Sequence, residues 1–133
     1  MRTINFFDKN RILLIQFSGF RFVRTQALKL VYFDGKVNFD FFHVDTSFEC
    51  EVYDLNAFLI SLIKMYDNQQ KQALFHPLSG NIIIRMEQKN QDIKVSCLIS
   101  NNLNTGNLEF SYFIDQSFLP ELIKEIETIL NEI

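Results

Sequence analysis

The chain has 133 residues and a formal net charge of −3, and 47% of its residues are apolar. This composition excludes an intrinsically disordered chain, and the length suits one domain, residues 1–133, that can fold without disulfides or metal. Because there is no basic excess, the chain lacks the electrostatic signature of a nucleic-acid-binding protein.

The first half of the chain is predicted to form strands followed by a helix. Strand patterns occupy four segments, residues 12–20, 27–33, 36–44 and 47–53. Asp34-Gly35 lies between the second and third segments and predicts a tight hairpin turn, because both residues tolerate a positive φ. The apolar period then changes to that of a helix, which we predict over residues 55–66 with Asp54 as its N-cap.

The second half of the chain has a similar plan. Alternating apolar residues predict three strands, at residues 81–87, 92–100 and 107–114. The polar run 101–107 is predicted to be a hairpin loop. A final helix is predicted over 117–131, with Asp115 or Ser117 as its cap and Pro120 in its first turn, where a missing N–H costs little.

The two predicted helices share a sequence string. Residues 58–64 read Phe-Leu-Ile-Ser-Leu-Ile-Lys, and residues 118–124 read Phe-Leu-Pro-Glu-Leu-Ile-Lys. We interpret this as a βββα unit used twice, at 27–67 and 81–133, with an extra strand at the start; two unrelated amphipathic helices could share the same string. Either way the predicted fold is α+β, an antiparallel sheet with two amphipathic helices packed on it. The residues in the middle of the apolar helix stripes are predicted to be buried: Leu59, Leu62, Leu122 and Ile126.

Few residues are suited to catalysis or metal binding. Cys50 and Cys97 lie within strand patterns without a Cys or His at ligand spacing, which argues against zinc and for buried thiols in a reducing compartment. His43 and Asp45 would share a strand face, as a base and its orienting carboxylate do, but an exposed strand histidine is the simpler interpretation. No Gly-rich phosphate-binding motif is present. We therefore expect no enzymatic activity, no cofactor and no metal.

No segment has the pattern of an export or membrane signal. The N-terminal sequence lacks the continuous apolar region of a signal peptide. No window approaches the 18 apolar residues typical of a transmembrane helix. These patterns predict a cytoplasmic protein without a membrane partner.

Charge is distributed unevenly along the chain. Residues 1–30 contain one acid, Asp8, and six bases: Arg2, Lys9, Arg11, Arg21, Arg24 and Lys29. Residues 34–54 contain one base, Lys36, and six acids: Asp34, Asp40, Asp45, Glu49, Glu51 and Asp54.

The acid-rich stretch is the candidate binding surface. Strand alternation places one set of its side chains on an outer face: Asp40, Phe42, Glu49, Glu51 and Tyr53. The opposite, inner face is expected to carry Phe39, Phe41, Phe48 and Val52. The outer face would suit a basic protein partner, with the two aromatics as anchors. The alternative is that the basic N-terminal segment neutralises these acids within the fold.

Three strings of the sequence resemble a known family. They are residues 52–59 (Val-Tyr-Asp-Leu-Asn-Ala-Phe-Leu), 77–82 (Pro-Leu-Ser-Gly-Asn-Ile) and 110–123, in which Asp-Gln-Ser separates a strand from a Leu- and Ile-rich helix. In this order they resemble the WapI-type immunity proteins of bacterial polymorphic toxin systems, from residue 37 to the C terminus. The resemblance implies a small, non-enzymatic cytosolic protein that is encoded beside a secreted toxin and blocks its toxic domain by binding it. It transfers no partner-binding residues.

Two functional hypotheses follow. In the first, the chain is an immunity protein whose partner is a cognate toxin domain, and a toxin gene upstream would support it. In the second, it is a small-ligand or peptide-binding regulatory domain, which a deep apolar pocket with convergent polar groups would support. An enzyme of another type is disfavoured because no base, nucleophile or metal cluster is evident.

Overall fold

The computed structural model describes residues 2–77, 80–100 and 106–132, which form two antiparallel four-stranded sheets and two α-helices. In chain order the elements are β1 Ile4–Phe7, β2 Leu13–Arg24, β3 Lys29–Phe39, β4 Phe42–Glu51, α1 Val52–Tyr66, β5 Gln72–Phe75, β6 Ile82–Lys89, β7 Asp92–Ser100, β8 Asn107–Ile114, a 3-10 helix Gln116–Phe118 and α2 Leu119–Leu130. The predicted α+β class is confirmed. Within the described ranges, no helix is long and apolar enough to span a membrane.

The strands are divided between two sheets, with the orders β1-β2-β3-β4 and β5-β6-β7-β8. Each half of the chain therefore has four strands followed by a helix, which agrees with a duplicated unit but adds one strand to the predicted βββα. Sequence reasoning missed β1 and β5, which have four residues each. Each offers only two inward positions, too few to establish a period. Most of the predicted polar loop at 101–107 lies outside the described residues.

The turn predicted at Asp34-Gly35 is wrong, because β3 runs through both residues without a break. The chain turns instead at Asp40 and Phe41, where Asp40 has a φ of 57°. Gly35 is required for packing: a Cβ at this position would lie 2.4 Å from Cε2 of Phe48 on β4. The absence of a side chain lets the Phe48 ring lie over β3, as aromatic rings cover strand glycines elsewhere.

The inner faces of the two sheets share one hydrophobic core with both helices. Five phenylalanine rings at its centre have neighbouring centroids 4.8–6.4 Å apart: Phe17, Phe33, Phe48, Phe58 and Phe75. A second contact between the sheets is the stack of Phe39 on Phe110, with centroids 4.4 Å apart. All four helix residues predicted to be buried lie in this core, namely Leu59, Leu62, Leu122 and Ile126.

The helix starts are set by acidic side chains. α1 begins earlier than predicted, with Glu51 rather than Asp54 as its N-cap. Asp54 accepts a hydrogen bond from the Glu51 backbone N–H at 2.8 Å, and the Glu51 side chain accepts one from the Asp54 N–H, so the two form a capping box. Asp115 caps the 3-10 helix before α2 by accepting a hydrogen bond from the Ser117 N–H at 2.9 Å, and Pro120 lies in the first turn of α2 as predicted.

Candidate protein-binding surface

The outer face of β4 carries a row of polar side chains. Because β4 alternates, Phe48 and Cys50 are buried in the core, and the residues between and before them point outward. We call this row the acidic row: His43, Asp45, Ser47, Glu49 and Glu51. Of this row, sequence reasoning assigned only Glu49 and Glu51 to the binding surface and considered His43 and Asp45 separately, as a possible base and its orienting carboxylate. Alternation extended backward from Glu49 also indicates Asp45.

The neighbouring strands add both signs of charge to this face. The Tyr32 hydroxyl donates a hydrogen bond to Glu49 at 3.3 Å, and Ser47 donates one to Asp34 at 3.0 Å. Arg21 lies 3.7 Å from Asp34, and Lys36 lies opposite Asp45 in the strand register. Four acids (Asp34, Asp45, Glu49, Glu51) against two bases (Arg21, Lys36) leave a formal excess of two negative charges on this face.

A β-bulge places Arg21 on the outer face. Between the pairs Ser18–Asp34 and Arg21–Tyr32, β2 advances three residues while β3 advances two. The extra residue is accommodated at Gly19, whose φ of 64° suits glycine. A Cβ at position 19 would lie 2.8 Å from Oδ2 of Asp34, so the glycine also leaves room for that carboxylate beside Arg21.

Three of the six basic N-terminal side chains pair with acids outside the acid-rich stretch. Arg2 pairs with Glu132, Lys9 with Asp92 at 2.9 Å, and Arg11 with Glu121 at 3.0 Å. The Arg11 guanidinium also lies over the rings of Phe7 and Phe118.

Arg24 and Lys29 oppose each other at the end of the β2–β3 hairpin. Arg21, by contrast, forms an ion pair with Asp34 of the acid-rich stretch. Three of the six N-terminal bases, Arg2, Lys9 and Arg11, thus pair with acids outside the acid-rich stretch.

One end of β4 presents exposed aromatic side chains. Asp40 and Phe41 form the turn, and Phe41 is 95% exposed, so its expected place on the inner face is wrong. Phe42 pairs with Phe39 and lies on the same side of the sheet as Phe48, opposite to its predicted orientation. Its side chain is still 58% exposed, because it lies at the tip of the hairpin. The two-residue turn at 40–41 shifts the alternation that the prediction had continued through these positions.

The other end of β4 joins the start of α1. Glu51 is half-buried in the capping box, and Tyr53 projects from the first turn of α1 with 74% of its side chain exposed. The five candidate residues thus fall into two groups, Asp40 with Phe42 and Glu49 with Glu51 and Tyr53. Phe42 and Glu49 lie seven residues apart on β4, which at ~3.4 Å per residue separates the groups by about 24 Å. A partner that touches both groups therefore spans most of the length of β4.

The residues that the sequence analysis weighed for catalysis or metal binding lie at separate places in the fold, the His43–Asp45 pair on the exposed face of β4 and the two cysteines in the core. His43 lies 3.3 Å from Asp45 and contacts Asn38, and both His43 and Asp45 are exposed on the strand. Burial raises the pKa of both thiols, Cys50 and Cys97, to about 12, with Asp54 as the next contributor at Cys50. Both thiols are therefore protonated at neutral pH. Over residues 2–77, 80–100 and 106–132, no three His, Cys, Asp or Glu side chains form a metal site.

The cavities of the described residues are small or open. A water-sized space of ≈ 20 Å³ lies between β1 and α2, next to Tyr112. A larger groove of ≈ 350 Å³ opens between β4 and the ends of β7 and β8, with Val44, Ile99 and Leu108 among its lining residues. Neither is the deep apolar pocket with convergent polar groups that a small-ligand site requires.

Comparison with known proteins identifies the family. The model of the WapI-like immunity protein family matches residues 5–133. The chain belongs to this family. The match extends the resemblance seen from residue 37 onward to nearly the whole chain, including the N-terminal strands. Membership associates the fold with toxin neutralisation and with a toxin protein as partner.

Two solved structures are similar in shape. The crystal structures of Trypanosoma bruciei MRP1/MRP2 match with a TM-score of 0.47 and 8% identity, over 89% of this chain and 74% of that chain. The structure of the plant transcriptional regulator PBF-2 matches with a TM-score of 0.49 and 10% identity, over 87% of this chain and 72% of that chain. No curated protein matches the chain.

Proposed function

We propose that this protein is a non-enzymatic immunity protein that binds a cognate secreted toxin domain in the cytoplasm and neutralises it. The family supports the general role. The observation that carries the choice of surface is the pairing of three N-terminal bases, Arg2, Lys9 and Arg11, with acids outside the acid-rich stretch. The face formed by β4 and its neighbouring strands carries four acids against two bases.

The proposed contact surface is the length of β4 with its two ends. It comprises the acidic row and the candidate residues at the strand ends, Asp40, Phe42 and Tyr53. Carboxylates on such a face speed association with a basic partner and select against acidic ones. Exposed aromatics that become buried at the centre of an interface account for much of its affinity. Nucleic acid and membranes are not proposed as partners, and no cofactor takes part.

The experiment uses the toxin domain encoded by the gene beside this one. Co-expression should protect cells from that domain, and the two purified proteins should form a complex in calorimetry. The test variant is Glu49→Lys with Glu51→Gln, because glutamine can retain the capping box at the start of α1. We expect association slowed by about tenfold at low salt, with a weaker salt dependence than that of the unmodified protein.

A matched control carries the same change of charge elsewhere. Glu109→Lys with Glu127→Gln alters two exposed side chains on β8 and α2, remote in sequence from β4. This control should bind and protect as the unmodified protein does. If the β4 variant folds and still binds with unchanged rate and salt dependence, the acidic row is not the contact surface. If the unmodified protein neither binds the domain nor protects cells, the proposed function itself is wrong.

A further inference from the structure

β4 is the last strand of its sheet. The order β1-β2-β3-β4 leaves one side of β4 without a neighbouring strand among the described residues. An edge strand presents a row of backbone N–H and C=O groups that another chain can bind. At ten residues, β4 is long for an edge that has no covering strand.

The register identifies the backbone groups that face this open side. The two-residue turn makes Phe39 and Phe42 a hydrogen-bonded pair, and the β3–β4 register continues without a shift. Hydrogen-bonded pairs then recur at every second residue, so Val44 and Thr46 bond to β3. The intervening residues direct their backbone N–H and C=O groups away from β3: His43, Asp45 and Ser47.

Side-chain charge selects the strand that can pair with this edge. A second copy of β4 would bring carboxylates such as Asp45 next to carboxylates, and like charges on neighbouring strands are destabilising. A strand with Lys or Arg on the same face would gain opposite-charge pairs instead. The other face of the incoming strand would lie toward the ≈ 350 Å³ groove beside Val44, Ile99 and Leu108, which suits apolar side chains.

We propose that β4 accepts an extended segment of the toxin domain as a fifth strand of its sheet, and that this segment alternates basic and apolar side chains. This inference rests on the proposed function and specifies its binding mode. Main-chain hydrogen bonds hold the added strand, and the alternating side chains give it specificity. A segment that runs along β4 also reaches both groups of candidate residues. A partner that binds only one end of β4 reaches one group.

Amide hydrogen exchange followed by NMR tests the pairing residue by residue. The probe is the domain encoded by the adjacent gene, mixed with the complete immunity protein. In the free protein, the amides of His43, Asp45 and Ser47 should exchange quickly, whereas those of Val44 and Thr46 should exchange slowly. In the complex, the first three should slow by at least about tenfold. A complex that leaves these three amides unchanged overturns the proposal.

Two substitutions at one position separate the backbone from the side chain. Ser47→Pro removes an outward N–H at an edge position where proline is compatible with the fold, and Ser47→Ala removes only the hydroxyl that bonds Asp34. We expect Ser47→Pro to weaken the complex by about tenfold or more and Ser47→Ala by less than about twofold. Equal affinities for two folded variants contradict strand addition.

If Ser47→Pro does not fold, the hydrogen-exchange measurement alone tests whether the toxin segment adds to the edge of β4. Failure of the unmodified protein to form any complex overturns both this proposal and the proposed function. A complex without protection at the edge of β4 overturns this proposal alone.

Discussion

The ring of Phe48 occupies the space that a side chain at position 35 would need. Phe48 also lies within 5.5 Å of Phe33 and 6.1 Å of Phe17, measured between ring centroids, so it has little freedom to move aside. This single contact fixes the packing in the middle of β3 and β4. It therefore also supports the outward row on β4, from Asp45 to Glu49.

Gly35→Ala should destabilise the protein by about 1–3 kcal/mol, because the new methyl group overlaps the Phe48 ring. Urea unfolding measures the effect. Combining Gly35→Ala with Phe48→Leu should reduce the additional loss, since leucine lacks the ring edge that lies closest. A neutral or stabilising Gly35→Ala would show that the ring does not need this space, because alanine otherwise lowers the entropy of the unfolded chain.

At the scale of secondary-structure elements, the two helices differ in the side chains that they expose. α2 exposes polar positions such as Glu121 and Lys124, whereas α1 exposes Ile60 and Ile63 in addition to Tyr53. Both nevertheless bury one apolar stripe against the shared core. The stripe, rather than the total apolar content, determines how each helix lies on the sheets.

Truncation of the buried stripe should therefore be costly. Changing Leu59, Leu62, Leu122 or Ile126 to alanine should each lower the free energy of unfolding by about 2–5 kcal/mol, because each leaves a cavity in the core. Ile60→Ala is the control on the exposed face of α1 and should change stability by less than about 0.5 kcal/mol. Losses below that limit at two of the four buried positions would mean that the assigned helix faces are wrong.

Local patterns account for what could be predicted from the sequence. The helix stripes and the outward orientation of Glu49 and Glu51 follow from periodicity that extends over many residues. The turn could not be found in this way, because Asp40-Phe41 lacks a strong turn signal while Asp34-Gly35 carries one that Phe48 packing overrides. Pairings such as that of Arg11 with Glu121 join residues 110 positions apart, and no local pattern reports them.

At the scale of the whole molecule, the first strand is bound to the last helix. The Glu125 carboxylate accepts hydrogen bonds from the Asn5 backbone N–H at 3.0 Å and from its side-chain amide at 2.7 Å. The ion pairs of Arg2, Lys9 and Arg11 are exposed, so each contributes at most about 1 kcal/mol. The partly buried bonds of Asn5 are the more specific part of this junction.

The junction predicts a pH dependence of stability. Burial raises the pKa of Glu125 above its ordinary value, more than the hydrogen bonds from Asn5 lower it. A raised pKa in the folded state means that the carboxyl contributes most below its unfolded pKa, and that this contribution is lost as the pH rises through the folded pKa. Relative to the unmodified protein, Glu125→Gln should therefore become more stable as the pH rises from about 4 to 7.

Urea unfolding at several pH values measures this difference between the two proteins. Glutamine keeps one acceptor oxygen for Asn5, so the variant should still fold. Two stability curves that run parallel over this pH range would contradict the assignment of the shifted pKa to Glu125.

The hydrogen bond between Asn5 and Glu125 also constrains the order in which the protein folds. These residues are 120 positions apart, so the junction cannot close until residue 125 has left the ribosome. The β1–β2 hairpin can form early, whereas its partner helix α2 is made after all eight strands described here. Closing so long a loop is slow compared with local pairing. The β1–β2 hairpin is therefore complete well before α2 can bind it, and the junction between Asn5 and Glu125 forms among the late steps of folding during synthesis.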